Sequence, residues 1–142
     1  MPVRSADAEW RGGLVDGNGE VRTGSGVLSA PYDWRSRAED GPNTNPEELI
    51  GAAHAGCFSM ALSHILGEAG HTPTRIHTSA RVHLEKQGDG FAITQIELTT
   101  EGEVPGISAE EFQKHADAAK AGCPVSKALS GTLISLAASL KS

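Results

Sequence analysis

The alternation of apolar and polar residues predicts a strand-rich beginning to this chain. Ala8–Arg11 and Glu20–Thr23 alternate in polarity on either side of the turn residues Asp16–Gly19, which predicts a β-hairpin. The segment Tyr32–Arg37 predicts a third strand. A polar loop over residues 39–44 then leads into the first helix.

A long apolar helix follows this loop. Asn45 is a good N-cap residue, Pro46 suits the first helical position, and Glu48 has the spacing of a capping box. Residues Leu49–Leu66 are apolar or small on nearly every side, which predicts a helix buried on all faces and ending near Gly67–Gly70. One thin sheet covers too little of such a helix, so we expect a second subunit to cover the rest.

The second half of the chain predicts a second hairpin and the remaining helices. Two long strands, Ile76–Leu84 and Phe91–Thr99, are joined by turn residues around Gly88–Gly90. Three elements follow: a helix with a capping box at Ser108 and Glu111 that runs to about Gly122, a short helix opened by Pro124, and a strand at Thr132–Ser139. The order β-β-β-α-β-β-α-β predicts one α+β domain over residues 1–142.

The charge of the chain narrows the choice of partners and location. Twelve Lys and Arg against 18 Asp and Glu give a formal charge of −6, and no basic run occurs, which disfavours nucleic acid and anionic membranes. We expect no signal peptide and no segment with the roughly 18 apolar residues of a membrane span. A cytoplasmic location follows, where a cysteine pair is more often catalytic or metal-binding than a structural disulfide.

Cys57 and Cys123 are the residues best suited to chemistry, although either could be a buried core thiol. Cys123 precedes a proline at a helix start, so local electrostatics alone favour it as the thiolate and nucleophile. Cys57 lies within about 80° of His54 and His64 on its helix, and these histidines could bind a metal or stabilise a thiolate. No second cysteine or carboxylate lies at ligand spacing beside them, which makes a metal the less favoured interpretation.

Four charged residues that precede Cys57 are further candidates. Glu48 has a capping role, whereas Glu47 is not needed for capping and could simply favour the helix dipole. Arg35 and Arg37 are two positions apart on the predicted third strand, so both side chains are expected on one face. A solvated strand face is the ordinary explanation of such a pair.

Two segments of this chain, Asn45–Leu62 and Ala119–Ser126, resemble the signature segments of the osmotically inducible protein C (OsmC) and organic hydroperoxide resistance (Ohr) family. The resemblance continues through Ser25–Leu28, Gly67–Gly70 and Phe91–Thr94, so it covers nearly the whole chain. The segment around His54 is similar to the OsmC branch, because the Ohr branch usually has tyrosine at that position.

The resemblance implies a fold, an assembly and an activity. It implies an OsmC-like α+β fold in which antiparallel sheets wrap a buried central helix in an intertwined homodimer, with the active site at the subunit interface. It also implies a thiol-dependent peroxidase that reduces organic hydroperoxides without a cofactor or metal and is regenerated by a dithiol reductant.

The same resemblance assigns roles to individual residues. By motif position, Cys57 matches the peroxidatic cysteine and Cys123 the resolving cysteine, which overrules the local preference for Cys123. Glu47 matches the active-site glutamate of the family, and Arg37 matches its arginine partner, with Arg35 as the alternative. The apolar residues around Cys57 suit a lipid-like or alkyl hydroperoxide better than hydrogen peroxide; they are Phe58, Met60 and Leu62.

Two other functions would use the same cysteines. A non-catalytic redox sensor or binding protein would oxidise once and stop, whereas a peroxidase supplied with a dithiol would consume peroxide continuously. A metal-binding protein is the third possibility, and elemental analysis of the pure protein would test it.

Overall fold

Residues 2–141, which the computed structural model describes, form six strands and four helices. In chain order these are β1 Ala6–Arg11, β2 Asn18–Thr23, β3 Ser29–Tyr32, α1 Trp34–Ala38, α2 Pro46–Glu68, β4 Arg75–Gln87, β5 Gly90–Glu103, α3 Ala109–Gly122, α4 Pro124–Ala128 and β6 Leu133–Leu140. The predicted α+β class is confirmed. The chain divides into two compact units, one ending at Leu49 and the other beginning at Ile50. That residues 1–142 act as a single domain stays a prediction.

The first unit contains an antiparallel sheet in the order β1-β2-β3. The predicted hairpin is confirmed, and Gly19 of β2 pairs with Trp10 on one side and Tyr32 on the other. The rings of Trp10 and Tyr32 meet edge to face with their centroids 5.4 Å apart. A Cβ at Gly19 would lie 2.6 Å from the Tyr32 ring, so this aromatic pair requires glycine beneath it.

The predicted third strand is wrong over most of its length. Strand β3 ends at Tyr32, and the backbone turns into α1 because the Asp33 carboxylate accepts a hydrogen bond of 2.8 Å from the Ser36 N–H. Arg35 and Arg37 therefore lie on a short helix, where positions two apart differ by about 200° in direction. Their expected placement on one face of a strand is corrected accordingly.

Helix α2 begins at the predicted N-cap, and Glu48 bonds the residue before that cap in place of completing the predicted capping box. The Asn45 side chain accepts a hydrogen bond of 2.8 Å from the Glu48 N–H, which is the N-cap interaction. The Glu48 carboxylate accepts a bond of 2.6 Å from the Thr44 hydroxyl, so it also holds the loop residue that precedes the cap. The first turn of α2 is thus fixed from both sides.

In the single chain α2 is buried on one face only, so its burial on all faces by a second subunit stays a prediction. One face is fully buried through Phe58, Leu62 and Leu66, whereas Met60 on the opposite face is 76% exposed. The residues that share the exposed face are small, among them Ala52, Ala53 and Gly56. A buried helix was expected because its apolar residues surround the axis, and one chain covers only part of that circumference.

The length of α2 also corrects a second expectation, that no apolar segment is long enough to span a membrane. The 23 residues of Pro46–Glu68 are sufficient in length and composition to cross one. The core helix of a soluble protein meets the same criterion. The length and composition of α2 therefore show that the helix is unusually apolar. They do not show whether it lies in a protein core or in a membrane.

The second unit contains a three-stranded sheet in the order β4-β5-β6. The predicted hairpin of β4 and β5 is antiparallel, with a bulge between His83 and Leu84. Strand β6 instead runs parallel to β5, so the expectation of antiparallel sheets is corrected for this pair. The reason is the connection, because the chain returns through α3 and α4 before it pairs again.

The core of the second unit lies between α2, the sheet and α3. Its buried residues are Phe58, Leu62, Leu66, Ile96, Leu98, Val104, Phe112, Ala116 and Ala119. Three hydroxyl groups cross this layer, since Ser59 donates to Thr78 at 2.8 Å and Thr78 lies 3.0 Å from Thr100. This chain of hydrogen bonds fixes the height of α2 on β4 and β5 near the middle of the helix.

Candidate active site

The sulfur atoms of Cys57 and Cys123 lie 2.8 Å apart although 66 positions separate the residues in sequence. Cys57 lies on α2, and Cys123 lies between the end of α3 and the start of α4. Both are free cysteines. The fold therefore brings the two predicted redox residues into direct contact.

The two cysteines differ in their access to solvent. Cys123 is fully buried, with 0% of its surface exposed, whereas Cys57 is half-buried. A peroxide must touch the sulfur that it oxidises, so in the single chain Cys57 is the thiol that a substrate can reach. This difference could not be derived from local sequence, which favoured Cys123.

Hydrogen bonds and burial act differently on the two thiols. Burial raises the pKa of Cys57, and the hydrogen bond with Cys123 adds to that effect. Burial also acts to raise the pKa of Cys123, but hydrogen bonds from Cys57 and from the N–H and hydroxyl of Ser126 lower it on balance. Within this pair the thiolate thus lies by preference on Cys123, as local electrostatics predict, and Cys57 needs a further positive charge to ionise first.

A buried histidine adjoins the thiol pair. His54, one turn before Cys57 on α2, is fully buried, and its Nε2 atom lies 2.7 Å from the Ser126 hydroxyl oxygen. Burial lowers the pKa of His54 below its ordinary value, so the imidazole is neutral. Its Nδ1 atom is buried without a hydrogen-bond partner among residues 2–141.

Arg37 and Glu47 form a bidentate ion pair in the first unit. Arg37 Nε donates to Glu47 Oε1 at 3.0 Å, and Arg37 Nη2 donates to Glu47 Oε2 at 2.9 Å. The Glu47 side chain is only 8% exposed, whereas that of Arg37 is 36% exposed. Parallel hydrogen bonds of this kind fix the orientation of the guanidinium plane as well as its position.

The loop between α1 and α2 explains how Arg37 meets Glu47. Ser36 accepts a hydrogen bond of 3.0 Å from the Asn43 N–H on its hydroxyl and one of 2.9 Å from the Asn45 side chain on its carbonyl. A Cβ at Gly41 would lie 2.3 Å from the Ser36 hydroxyl oxygen, so only glycine allows the loop to approach this closely. Ser36 thereby connects the end of α1 to the start of α2. This connection brings the neighbouring Arg37 close to Glu47.

An apolar cleft of about 220 Å³ lies beside this ion pair. Its lining is mainly aromatic and aliphatic, with Arg37 as the cationic member; the lining residues are Trp10, Leu14, Tyr32, Asp33, Trp34, Arg37 and Pro46. Hydrogen bonds from Ser36 and Asn43 lower the pKa of Asp33, so that carboxyl is charged at neutral pH. The cleft thus combines an apolar wall with charged groups at its edge.

The sequence-predicted site residues form two pairs, one within each compact unit. Cys57 meets Cys123, and Arg37, not the alternative Arg35, meets Glu47. His64 is exposed, so it does not join His54 and Cys57 in a ligand set. Within residues 2–141 no group of three or more His, Cys, Asp or Glu side chains is arranged to hold a metal ion.

The structure corrects one expectation about the surroundings of Cys57 and adds one residue that the sequence analysis missed. Phe58 and Leu62 are fully buried core residues, and Met60 lies on the exposed face of α2, so these three do not form one apolar pocket. Ser126, which contacts both His54 and Cys123, was not singled out from the sequence. Its position three residues after Cys123, at the first turn of a short helix, was the signal that could have identified it.

Comparisons with known proteins match almost the whole chain. A family model described as OsmC-like protein matches residues 39–137, a range that contains Glu47, Cys57 and Cys123. The chain is 56% identical over 127 residues to the peroxiredoxin OsmC of Escherichia coli strain K12, and the match covers 89% of each protein.

The more distant relatives include organic hydroperoxide resistance proteins. The chain is 28% identical over 135 residues to the organic hydroperoxide resistance protein OhrB of Bacillus subtilis strain 168, over 94% of this chain and 95% of that protein. Its fold is similar to the crystal structure of an organic hydroperoxide resistance protein from Elizabethkingia anophelis, with a TM-score of 0.76 and 26% identity. That match covers 99% of this chain and 97% of the other.

Proposed function

This chain belongs to the OsmC-like protein family, and from that membership we propose that it is a thiol-dependent peroxidase that reduces organic hydroperoxides to alcohols. The observation that carries the proposal is the distance of 2.8 Å between the sulfur atoms of Cys57 and Cys123. A half-buried thiol in contact with a fully buried one is the arrangement that a two-cysteine peroxidase requires.

The first step is proposed to occur at Cys57. Its thiolate attacks the distal oxygen of the hydroperoxide, the O–O bond breaks, and the departing alkoxide takes up a proton to leave as the alcohol. Cys57 is then a sulfenic acid. The exposure of Cys57 supports this role, because a substrate can reach its sulfur and cannot reach that of Cys123 without a rearrangement.

The second step is proposed to join the two sulfurs. The Cys123 thiolate attacks the Cys57 sulfur, an S–S bond forms, the S–O bond breaks, and the hydroxide leaves as water after protonation. The lowered pKa of Cys123 supports this step, since a resolving cysteine must attack as its thiolate. An external dithiol then reduces the disulfide and restores both thiols.

Arg37 is proposed to supply the positive charge that Cys57 lacks. A guanidinium is permanently charged, so it stabilises a thiolate and polarises a bound peroxide. Its partner Glu47 is proposed as a positioning residue, because two hydrogen bonds of 3.0 Å and 2.9 Å hold the guanidinium. Arg35 is not assigned this role, since Glu47 pairs with Arg37.

A homodimer with the active site at the subunit interface completes the proposal. Glu47 and Cys57 are ten positions apart on the continuous helix α2, which corresponds to about 15 Å along its axis. A glutamate side chain cannot cover that distance, which supports delivery of Arg37 and Glu47 from a second subunit. The exposed small residues of α2 and Met60 supply an apolar surface against which that subunit could pack.

An organic hydroperoxide with an apolar group is the proposed substrate. The cleft of about 220 Å³ beside Arg37 has room for a short alkyl or aryl group, and its aromatic lining favours such a group over water. Neither a metal nor a cofactor takes part in the proposed cycle, because the two sulfurs carry both electrons. A cytoplasmic location suits this chemistry, since cellular dithiols are available there.

A steady-state assay tests the function. Pure protein, a dithiol and cumene hydroperoxide should give continuous peroxide loss with many turnovers per cysteine, and hydrogen peroxide should be reduced less efficiently. A redox sensor that uses the same cysteines would consume about one peroxide per protein and stop. Equal kcat/KM for the two peroxides would contradict the assignment of an organic substrate.

A further inference from the structure

His54, Ser126 and Cys123 form a buried chain of polar groups next to the reacting sulfurs. The Nε2 atom of His54 lies 2.7 Å from the Ser126 hydroxyl oxygen, and Ser126 follows Cys123 by three residues in the first turn of α4. The Ser126 side chain also acts to lower the pKa of the Cys123 thiol. His54 and Cys123 are 0% exposed, and Ser126 is 6% exposed. Water therefore does not compete for these hydrogen bonds, and the direction of each one is decided within the protein.

The serine has one hydroxyl proton and two neighbours that could accept it. If Ser126 donates to Cys123, its oxygen must accept from His54, which requires the proton of the neutral imidazole on Nε2. If Ser126 donates to His54 instead, the imidazole proton must lie on Nδ1. The Nδ1 atom, which has no hydrogen-bond partner within residues 2–141, distinguishes these two arrangements.

The first arrangement leaves a buried acceptor without a partner, whereas the second leaves a buried N–H donor without one. Unpaired buried N–H groups are the rarer and more costly of the two. The proton of His54 therefore belongs on Nε2, and the Ser126 hydroxyl is turned away from the histidine toward the sulfur. The position of the His54 proton thus determines the direction in which the Ser126 hydroxyl donates.

We propose that His54 is a positioning residue that holds the Ser126 hydroxyl as a permanent hydrogen-bond donor to Cys123, and that this pair promotes the resolving step of the catalytic cycle. The proposal rests on the proposed function, in which Cys123 attacks the sulfenic acid of Cys57. Ser126 stabilises the Cys123 thiolate before the attack. It stabilises the same thiolate again when the external dithiol opens the disulfide and Cys123 departs.

The bonds and protons exchanged in the resolving step show where the Ser126 hydroxyl acts. Cys123 forms the S–S bond with its electron pair, the S–O bond of Cys57 breaks, and the hydroxide carries away the proton that Cys123 released. The Ser126 proton is not consumed in this sequence, because the hydroxyl only solvates the negative sulfur. A change at His54 or Ser126 should thus slow disulfide formation and leave the stoichiometry of the reaction intact.

A titration of Cys123 alone tests the hydrogen bond without any reference to turnover. In Cys57→Ser the chain has a single cysteine, and thiolate absorbance at 240 nm follows Cys123. Adding Ser126→Ala should reduce the thiolate fraction at neutral pH about tenfold, as expected for the loss of one hydrogen bond to a charged group. Ser126→Thr keeps the hydroxyl and should retain most of the thiolate.

Two substitutions of the histidine separate positioning from packing. His54→Leu fills the space but offers no donor, so it should reduce the Cys123 thiolate in the same way as Ser126→Ala. His54→Gln keeps an N–H group that can donate to the Ser126 hydroxyl, so it should retain most of the Cys123 thiolate. An unchanged Cys123 titration in Ser126→Ala, a small substitution expected to fold, would overturn the proposal.

Dimedone trapping separates this proposal from the assignment of the cysteines. With both cysteines present, Ser126→Ala should extend the lifetime of the sulfenic acid at Cys57 about tenfold, which mass spectrometry detects as increased dimedone adduct on that residue. Adduct on Cys123 would contradict the assigned roles of the cysteines. A normal sulfenic acid lifetime at Cys57 would contradict the positioning role and leave those roles standing.

Discussion

Arg37 and Glu47 form an asymmetric pair, in which a nearly buried carboxylate holds a guanidinium that stays partly exposed. The two hydrogen bonds measure 3.0 Å and 2.9 Å, and the exposed fractions of the side chains are 8% for Glu47 and 36% for Arg37. The pair uses Nε and Nη2 of the arginine, so Nη1 is not engaged by this carboxylate. An ion pair of this form fixes the orientation of the guanidinium and leaves part of it exposed for contact with another group.

Glu47→Gln should reduce turnover at least tenfold, because the amide offers one oxygen in place of two and the guanidinium is no longer held in one plane. Some loss of stability is also expected, since Glu47 is buried. The comparison is therefore made at a temperature where both proteins are fully folded by circular dichroism. Turnover equal to that of the unmodified protein would remove Glu47 from the proposed site.

Glu48→Gln provides the matched control on the same turn of α2. The Glu48 side chain is exposed and bonds the Thr44 hydroxyl, so its loss should cost about 1 kcal/mol or less and leave turnover unchanged. A loss of activity in both variants that follows their loss of folded protein would indicate a purely structural effect of this turn.

Mixed dimers should show whether one site draws residues from two subunits. Cys57→Ser and Glu47→Gln are each expected to be inactive or nearly so as homodimers. In a heterodimer, Cys57 of one chain can still meet Glu47 of the other, so about half of the sites of a mixed dimer should work if the site is shared. Activity is measured after refolding the two variants together.

The control for this experiment is a dimer of two differently tagged Cys57→Ser chains, which cannot regain a peroxidatic thiol. Tandem affinity purification confirms that heterodimers are present before the assay. Purified heterodimers without activity would favour a charge effect relayed within one chain.

The two cysteines should respond differently to substitution. Cys57→Ser should abolish peroxide reduction, whereas Cys123→Ser should permit one reduction per chain and then accumulate sulfinic acid on Cys57. The reason is that Cys123 lies 2.8 Å from Cys57 and is the residue proposed to trap its sulfenic acid. Mass spectrometry after stoichiometric peroxide measures both products, and overoxidised Cys123 beside reduced Cys57 would reverse the assignment.

Burial of His54 makes the stability of the protein sensitive to mild acid. Its folded pKa lies below 6.5, so below that pH the unfolded chain binds a proton that the folded chain excludes. The stability associated with the neutral imidazole is therefore complete above pH 6.5 and is lost as the pH falls toward the folded pKa. His54→Gln should lose less stability than the unmodified protein between about pH 7.5 and pH 5.

Thermal unfolding midpoints at these two pH values measure the difference, and the five other histidines, present in both proteins, cancel in the comparison. His64→Gln is the control, because His64 lies on the exposed face of the same helix. An identical shift of midpoint in all three proteins would mean that His54 binds its proton as readily in the folded chain as in the unfolded one.

Much of the fold could be predicted because its signals are local. The caps at Asn45 and Ser108 are read from neighbouring residues, and both form the expected hydrogen bonds. The prediction for the segment after Tyr32 failed because Asp33 is also a cap, and the five residues of α1 contain too little periodicity to reveal a helix. The prediction of antiparallel sheets failed for β6 because the direction of this strand depends on where α3 and α4 return the chain.

The site could be predicted only in part for a related reason. Motif positions identified Cys57 and Cys123, but their contact depends on the packing of α2 against the start of α4. Local electrostatics favoured a thiolate at Cys123 but could not reveal that this residue is fully buried. The approach of Ser126 to His54 spans 72 positions and has no local signature at all.

The parallel pairing of β6 with β5 also sets an order of events in synthesis. Because the chain must cross back through α3 and α4 first, this pairing needs the whole segment from β5 to β6 to have been made. Cys57 precedes the whole second sheet, whereas Cys123 lies on the returning segment. Each newly made chain therefore contains Cys57 before it contains Cys123, and a sulfenic acid formed at Cys57 in that interval would have no neighbouring cysteine to react with it.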